Sequence, residues 1–457
     1  MAAHRPNARA SLAFALAALA LVGCPRELSI GELVAIGPGD GGPSDGGAVE
    51  AGLDARVADA AVDAGSDAGG DASLAFCAQR GPLYDLGDGV EAACSGTGAR
   101  GFHYAMCVCG SFQNAGDTLV DGFDSQRAPG TVDVRSGSIA LHGGLALNGP
   151  TSQRTSIGGS LVVASDAGAP VPGHSFEVLG NFADRGQLEA DQVTIGGDAQ
   201  IGGRVSVNTL RVGGTLTLAP GAQPQVTAGV PIYREAAINV AAPCGCTRAL
   251  DFTRAIDEAS RSNDDARRGL DPANGLRALN APIDLTLPCG RYYVEAIYAA
   301  RPVTLRIEGR VALFVRQGVL VDEGGTLDVR LAPGAELDLV VGATITGRER
   351  VAIGDGADPT RTRVYVAGGA AGSSSDTINF LAGGVLGLSL YAPTLALNVE
   401  GGELALFGAA VVGSVTSSST LRVRFDRALV RDTCAQASCA SQSCRAGLRC
   451  DGQRCVP

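Results

Sequence analysis

Asp117, Asp121, Asp124, Asp355 and Asp358 are the side chains whose type and spacing could support hydrolysis. Cleaving a glycosidic bond needs two carboxyl groups at a set separation, one of them held protonated as the acid. All five lie in glycine-rich stretches, "AGDTLVDGFDS" and "IGDGADP", where aspartate serves well as a turn residue that bonds nearby backbone. Histidine offers no clearer chemistry. His103, His142 and His174 are scattered, which suggests neither a metal triad nor a Ser-His-Asp set, and His103 in "RGFHYAMCVCG" reads as a half-buried structural residue. Tryptophan is absent and aromatic content is 4%, which weakens a sugar-stacking site. We therefore expect no enzyme activity, no catalytic residues, no metal and no cofactor. The alternative is a β-protein that binds or cleaves polysaccharide.

Cysteine is the other reactive side chain, with 13 copies. Setting Cys24 aside leaves three clusters. These are Cys77, Cys94, Cys107, Cys109; then Cys244, Cys246, Cys289; then Cys434, Cys439, Cys444, Cys450, Cys455. Structural zinc favours Cys-x₂₋₄-Cys, whereas "CVC" and "CGC" are tighter, so disulfides are expected. Clusters of four, three and five cannot all pair internally, so at least one bridge must join two of them. If the first cluster were self-contained, that bridge would run from the middle cluster to the last. A bond from Cys289 to Cys244 or Cys246 would pin the base of the segment between them.

The N-terminus suggests export. Arg5 and Arg9 precede "SLAFALAALALV", an apolar run too short to span a bilayer as a mature helix. It ends in "LVGC", which resembles the lipobox of bacterial lipoproteins. That resemblance implies cleavage of residues 1–23 and acylation of Cys24, which would anchor the protein to the membrane. Pro25, rather than Asp, leans the sorting toward the outer membrane. Residues 24–73 then form an anchored tether. Its stretch from Pro38 to Ser73 holds eight acids against Arg56 and almost no large apolar residue, so it cannot bury enough surface to fold. The whole chain carries −11 with no lysine, which argues against a nucleic-acid partner.

The elements that must hold these residues are strands. Gly180, Gly197 and Gly214 are 17 residues apart, and alternating stretches such as "QVTIGG" and "RVSVNTLRVGG" lie between them. Apolar–polar alternation broken by glycine signals short strands and tight bends. A period of 17 suits three short strands per turn of a parallel β-helix, with glycine at corners that need positive φ or close backbone approach. The expected fold is all-β: a parallel, right-handed β-helix with a short helical insertion and disulfide-rich caps at both ends.

The insertion is "DFTRAIDEASRSNDDARRGLDPANGLRALN". Phe252, Ile256 and Ala259 recur at helical spacing after Asp251, a plausible N-cap. Its charge cluster of Asp257, Glu258, Asp264, Asp265, Arg267 and Arg268 reads as the solvated face of a helix. The divisions expected are an N-terminal cap over 74–130, a first β-helix part over 131–243, the Cys-flanked insertion over 244–290, a second part over 291–430, and a Cys-rich module over 431–457.

Several motifs carry a further resemblance: "VDGFDS" (121–126), "LPCGRYY" (287–293), "GRVALFV" (309–315), "PGAELDL" (333–339), "RVYV" (363–366), "YAP" (391–393) and "RFDRAL" (424–429). They look like an uncharacterised group of exported bacterial β-helix proteins, common among myxobacterial lipoproteins. The Gly-Gly rungs are similar to bactofilins, which are polymer-forming β-helices, and the tail looks like small, partly EGF-like, Cys-rich modules. Phe425 departs from the pattern, which often has Tyr there. The resemblance implies a fold and a location but no activity. The function expected is a surface lipoprotein presenting a rigid coil for structure or adhesion. Its partners would be the membrane, through Cys24, and an envelope glycan or surface protein. A self-assembling envelope scaffold is the other interaction model.

Overall fold

A computed structural model describes residues 75–84, 102–222, 224–228, 233–246, 250–271, 273, 275–368 and 377–431, with two short strands, Arg449–Cys450 and Cys455–Val456. The expected leader, Cys24, the tether and Cys94 lie outside the described residues, as do Cys434, Cys439 and Cys444. Within the described part, alternating segments form short parallel strands stacked as successive rungs. The fold is an all-β parallel β-helix. Gln192 lies beside Thr209 and Gln200 beside Thr217, so a turn takes 17 residues over this stretch. Leu161, Phe182, Ala199 and Leu216 stack in one inward column, and Ile157, Val178 and Ile195 in another. Each Leu, Ile, Val or Phe among them, fully removed from water, stabilises the coil by roughly 1.5–3 kcal/mol.

The paired glycines act by close approach. A Cβ on Gly196 would sit 2.3 Å from the Leu179 carbonyl oxygen one turn back, and one on Gly213 would sit 2.4 Å from that of Gly196. At Gly159, Gly197 and Gly214 the second glycine clears room for a side-chain oxygen. Ser138 Oγ accepts the Ser160 N–H at 2.9 Å, and Ser160 Oγ accepts that of Asn181 at 3.0 Å. Asn181 Oδ1 then accepts the Asp198 N–H at 2.9 Å, and Asp198 Oδ1 that of Thr215 at 2.7 Å. A Cβ on Gly197 would fall 2.2 Å from Asn181 Oδ1, and one on Gly214 would fall 2.3 Å from Asp198 Oδ1. The corner is thus a ladder of side-chain acceptors over glycine.

The rungs do not follow chain order. Met106–Val108 lies between Ile139–Leu141 on one side and Ala410–Val412 on the other. Likewise, Phe112–Asn114 lies between Leu145–Leu147 and Val415–Ser417. The chain therefore enters the coil at an interior rung and winds outward to Tyr233–Glu235, which pairs with Leu216–Leu218. It then returns. The coil resumes at Leu276–Ala278 and winds back until Leu421–Asp426 pairs with Thr118–Phe123. The helix is continuous in space, with its first and last rungs joined.

This order corrects two expectations. Met106–Val108, within the segment expected to cap an end, is instead flanked by rungs on both sides. The last rung offers no open edge for the C-terminal module to cover, because the first rung occupies it. The bridges are also rearranged: Cys77 bonds Cys289, Cys107 bonds Cys244 and Cys109 bonds Cys246. All three join the first cluster to the middle one. The first cluster is not self-contained, and Cys289 bonds Cys77 rather than Cys244 or Cys246. The reason is topological, since the returning segment passes over the first rung.

The helical insertion is present as Thr253–Arg261 followed by a short 3-10 turn, Asp265–Arg268. Phe252, not Asp251, occupies the N-cap position, although Asp251 Oδ1 still accepts the Thr253 N–H at 2.8 Å. Phe252, Ile256 and Ala259 are buried, as their spacing implies. Strand structure resumes at Leu276, inside the segment expected to be insertion.

Candidate functional site

The first place where distant residues meet is the seam between the first and last rungs. Ser125 donates both its N–H and its hydroxyl to the Asp426 carboxylate, which also accepts the Ala428 N–H at 3.0 Å. Arg424 Nε lies 3.1 Å from Asp121 Oδ1. Burial lifts both carboxyls above the usual range, while Arg424 pulls Asp121 back and the Ser125 donors pull Asp426 back. Phe425 lies buried on the same strand. The motifs "VDGFDS" and "RFDRAL" are the two sides of this seam.

The second place is a strap, residues 75–84, lying on the outward side of the second half-coil. Arg310 donates to the Phe76 carbonyl at 3.2 Å, to Gln79 Oε1 at 3.3 Å and to the Gly81 carbonyl at 3.2 Å. Its guanidinium stacks 4.5 Å from the Phe76 ring centre. In return, Glu336 accepts the Gly81 N–H at 3.0 Å and Asp338 that of Leu83 at 3.3 Å. Arg363 bridges both carboxylates, at 2.7 Å to Glu336 and 2.9 Å to Asp338. Tyr365 donates to Asp338 at 3.3 Å. Burial pushes the Asp338 carboxyl up and Arg363 opposes it. Burial works against the Arg363 charge, but Asp338, Tyr365 and Glu336 outweigh it and hold the guanidinium above its usual range. Tyr84 closes the strap, with ring centres 5.0 Å from Phe252 and 5.1 Å from Tyr365.

The strap gathers the remaining motifs. Arg310 belongs to "GRVALFV", Glu336 and Asp338 to "PGAELDL", Arg363 and Tyr365 to "RVYV", and Cys289, bonded to Cys77, to "LPCGRYY". Tyr391 of "YAP" faces Phe252 at 6.4 Å. Seven dispersed motifs thus converge on one seam and one strap.

The helical insertion contributes to the same end of the coil. Asp264 and Asp265 are buried, and they accept the Arg291 N–H at 2.9 Å and the Tyr293 N–H at 3.1 Å along the edge strand Gly290–Val294. They stand where the next rung's carbonyls would be. Only the outer charges behave as a solvated face: Asp257 pairs with Arg316 and Glu258 with Arg254. Burial raises the Asp265 carboxyl to about 6.

The aspartates considered for hydrolysis are dispersed among turns and ion pairs. Asp117 accepts the Arg154 N–H at 2.8 Å, and Asp124 that of Arg127 at 3.1 Å. Asp355 and Asp358 share Arg361 at 3.2 and 2.6 Å. The histidines do not converge. His103 is exposed rather than half-buried. His142 Nε2 lies 2.9 Å from the Cys244 carbonyl, and His174 is buried. Sulfur atoms of Cys107, Cys244 and Cys246 lie within 4.8 Å of one another, but these cysteines belong to the two disulfides.

Sequence reasoning missed the strap residues Phe76, Gln79 and Gly81, the acceptor ladder of Ser138, Ser160 and Asn181, and the edge-capping role of Asp264 and Asp265. A signal existed only for the ladder, in the small polar residue that follows a corner glycine at Ser138, Ser160 and Asn181.

Residues 252–431 match a family model, Domain of unknown function (DUF7305). The match begins at Phe252, which packs under the strap, and ends just past the seam. No curated protein and no solved structure matches the chain.

Proposed function

We propose that this protein is an envelope lipoprotein of the uncharacterised exported β-helix group, anchored through acylated Cys24 and carrying a rigid coil on an acidic tether. The observation that carries this reading is the use made of its shared motifs: their charged residues bind the strap and the seam rather than lining a cleft. Three disulfides between distant parts of the chain suit an oxidising compartment. The strap follows directly after the tether, so a load on the anchor enters the coil through Cys77 and Cys289. Its role is structural or adhesive, and an outer-membrane location is the more favoured one. Replacing Cys24 by Ala tests the anchor. The variant should leave the membrane fraction, and continued retention contradicts acylation.

A further inference from the structure

We propose that the outward face crossing the seam between the two half-coils binds a neutral, hydroxyl-rich glycan. This rests on the reading of the chain as an envelope protein that presents its coil. Along that face the register places Thr346 beside Asn379, Asn379 beside Asn398, Asn398 beside Thr416 and Thr416 beside Gln113. Neighbouring strands lie about 4.8 Å apart, so uncharged hydrogen-bonding groups recur at that interval. A groove of about 430 Å³ lies over the end of this row, lined by Gln113, Asn148, Asn398, Glu400, Thr416 and Ser418 among others. That volume is within the range of small-molecule sites.

The lining chemistry selects the ligand. Amides and hydroxyls both donate and accept, which matches sugar hydroxyls that do the same. Asn398 is already oriented: it donates to Asn379 Oδ1 at 3.0 Å, and Asn379 donates to Thr377 Oγ1 at 2.7 Å. Its carbonyl oxygen is an acceptor. Gln113 and Thr416 are exposed. Glu400 is the one charged residue in the lining, so an acidic glycan is repelled there. A protein partner has little to hold. Among the described residues, the large exposed apolar side chains, Val132, Val134, Tyr233, Leu279 and Val385, lie elsewhere, and the groove strands are paired on both sides, leaving no edge for strand addition. Gln113 and Asn148 come from the first half-coil and the other four from the second, so the site is complete only when the seam is closed.

The test is calorimetric titration of the oxidised full-length protein, in detergent, with cello-, chito- and malto-oligosaccharides, and with oligogalacturonate as the acidic comparison. Saturable binding to at least one neutral series is expected, at least tenfold weaker in Gln113→Ala/Thr416→Ala and abolished in Thr416→Arg, with melting temperature unchanged. The proposal is overturned if no neutral series saturates, if the double variant binds like the parent, or if oligogalacturonate binds more tightly. Membrane retention is scored in the same preparations. Retained anchoring without sugar binding rejects the groove alone, whereas release of the parent protein rejects the envelope reading beneath it.

Discussion

The Asp426 carboxylate accepts both the backbone N–H and the hydroxyl of Ser125, 301 positions earlier in the chain. The bond closes a coil whose first and last rungs would otherwise each present an unpaired edge. An open edge invites pairing with another chain. The seam is therefore both a stability element and a safeguard against aggregation.

Asp426→Ala strands the Ser125 and Ala428 donors in a buried site. Leaving buried partners of a charged acceptor unsatisfied costs about 2–4 kcal/mol. Urea unfolding should show the loss, and size-exclusion chromatography should show more self-association. An unchanged midpoint would mean that the seam is held elsewhere.

The corner ladder predicts a coupling. Gly197→Ala places a Cβ 2.2 Å from Asn181 Oδ1 and should cost about 1–3 kcal/mol. Asn181→Ala alone loses the Asp198 N–H bond, worth about 1 kcal/mol. The double variant should be less destabilised than the sum, because the clashing oxygen is gone. Strict additivity would show that the glycine serves some other purpose.

Asp184 predicts an unusual pH dependence. It sits in the inward column between Val163 and Ile201, accepts the Gly186 N–H at 2.8 Å, and burial raises its carboxyl to about 7. The folded state thus holds this proton more tightly than the unfolded chain does. Stability from this site is full at acid pH and falls as pH rises from about 4 to about 7. Asn keeps the acceptor without the charge. Asp184→Asn should therefore gain on the parent by up to roughly 4 kcal/mol at pH 8 and little at pH 4. Equal stabilities at both pH values would place the ionised form comfortably in the fold.

The disulfides predict where the chain loosens. Replacing Cys107 and Cys244 by Ser should cost about 2–5 kcal/mol and expose the returning segment, residues 236–275, to protease before the coil is cut. Initial cleavage within the rungs would contradict that order.

The coil itself was legible because Gly180, Gly197 and Gly214 repeat at the interval the register uses. The second half hides its period, since Ile283 pairs with Val303, Leu305 with Val329 and Ala312 with Asp338, at unequal spacings. Rung order was illegible for a simpler reason. Alternation says that Thr118–Asp124 and Leu421–Asp426 are strands but not that they are neighbours. Only the uneven cysteine clusters hinted at a long-range tie. Asp264 and Asp265 resembled helix-surface charges, and their burial depends on edge-strand partners 27 and 28 residues later. The seam and strap residues were visible as motifs, yet their convergence needs the three-dimensional order of the rungs.

That order is tested most directly by a cross-link. Leu119 and Arg422 are register partners across the seam. In the full chain carrying Leu119→Cys and Arg422→Cys, peptide mapping under non-reducing conditions should recover a 119–422 bridge beside the native Cys77–Cys289, Cys107–Cys244 and Cys109–Cys246 links. Absence of the 119–422 bridge with the three native links intact would contradict a coil whose first and last rungs meet.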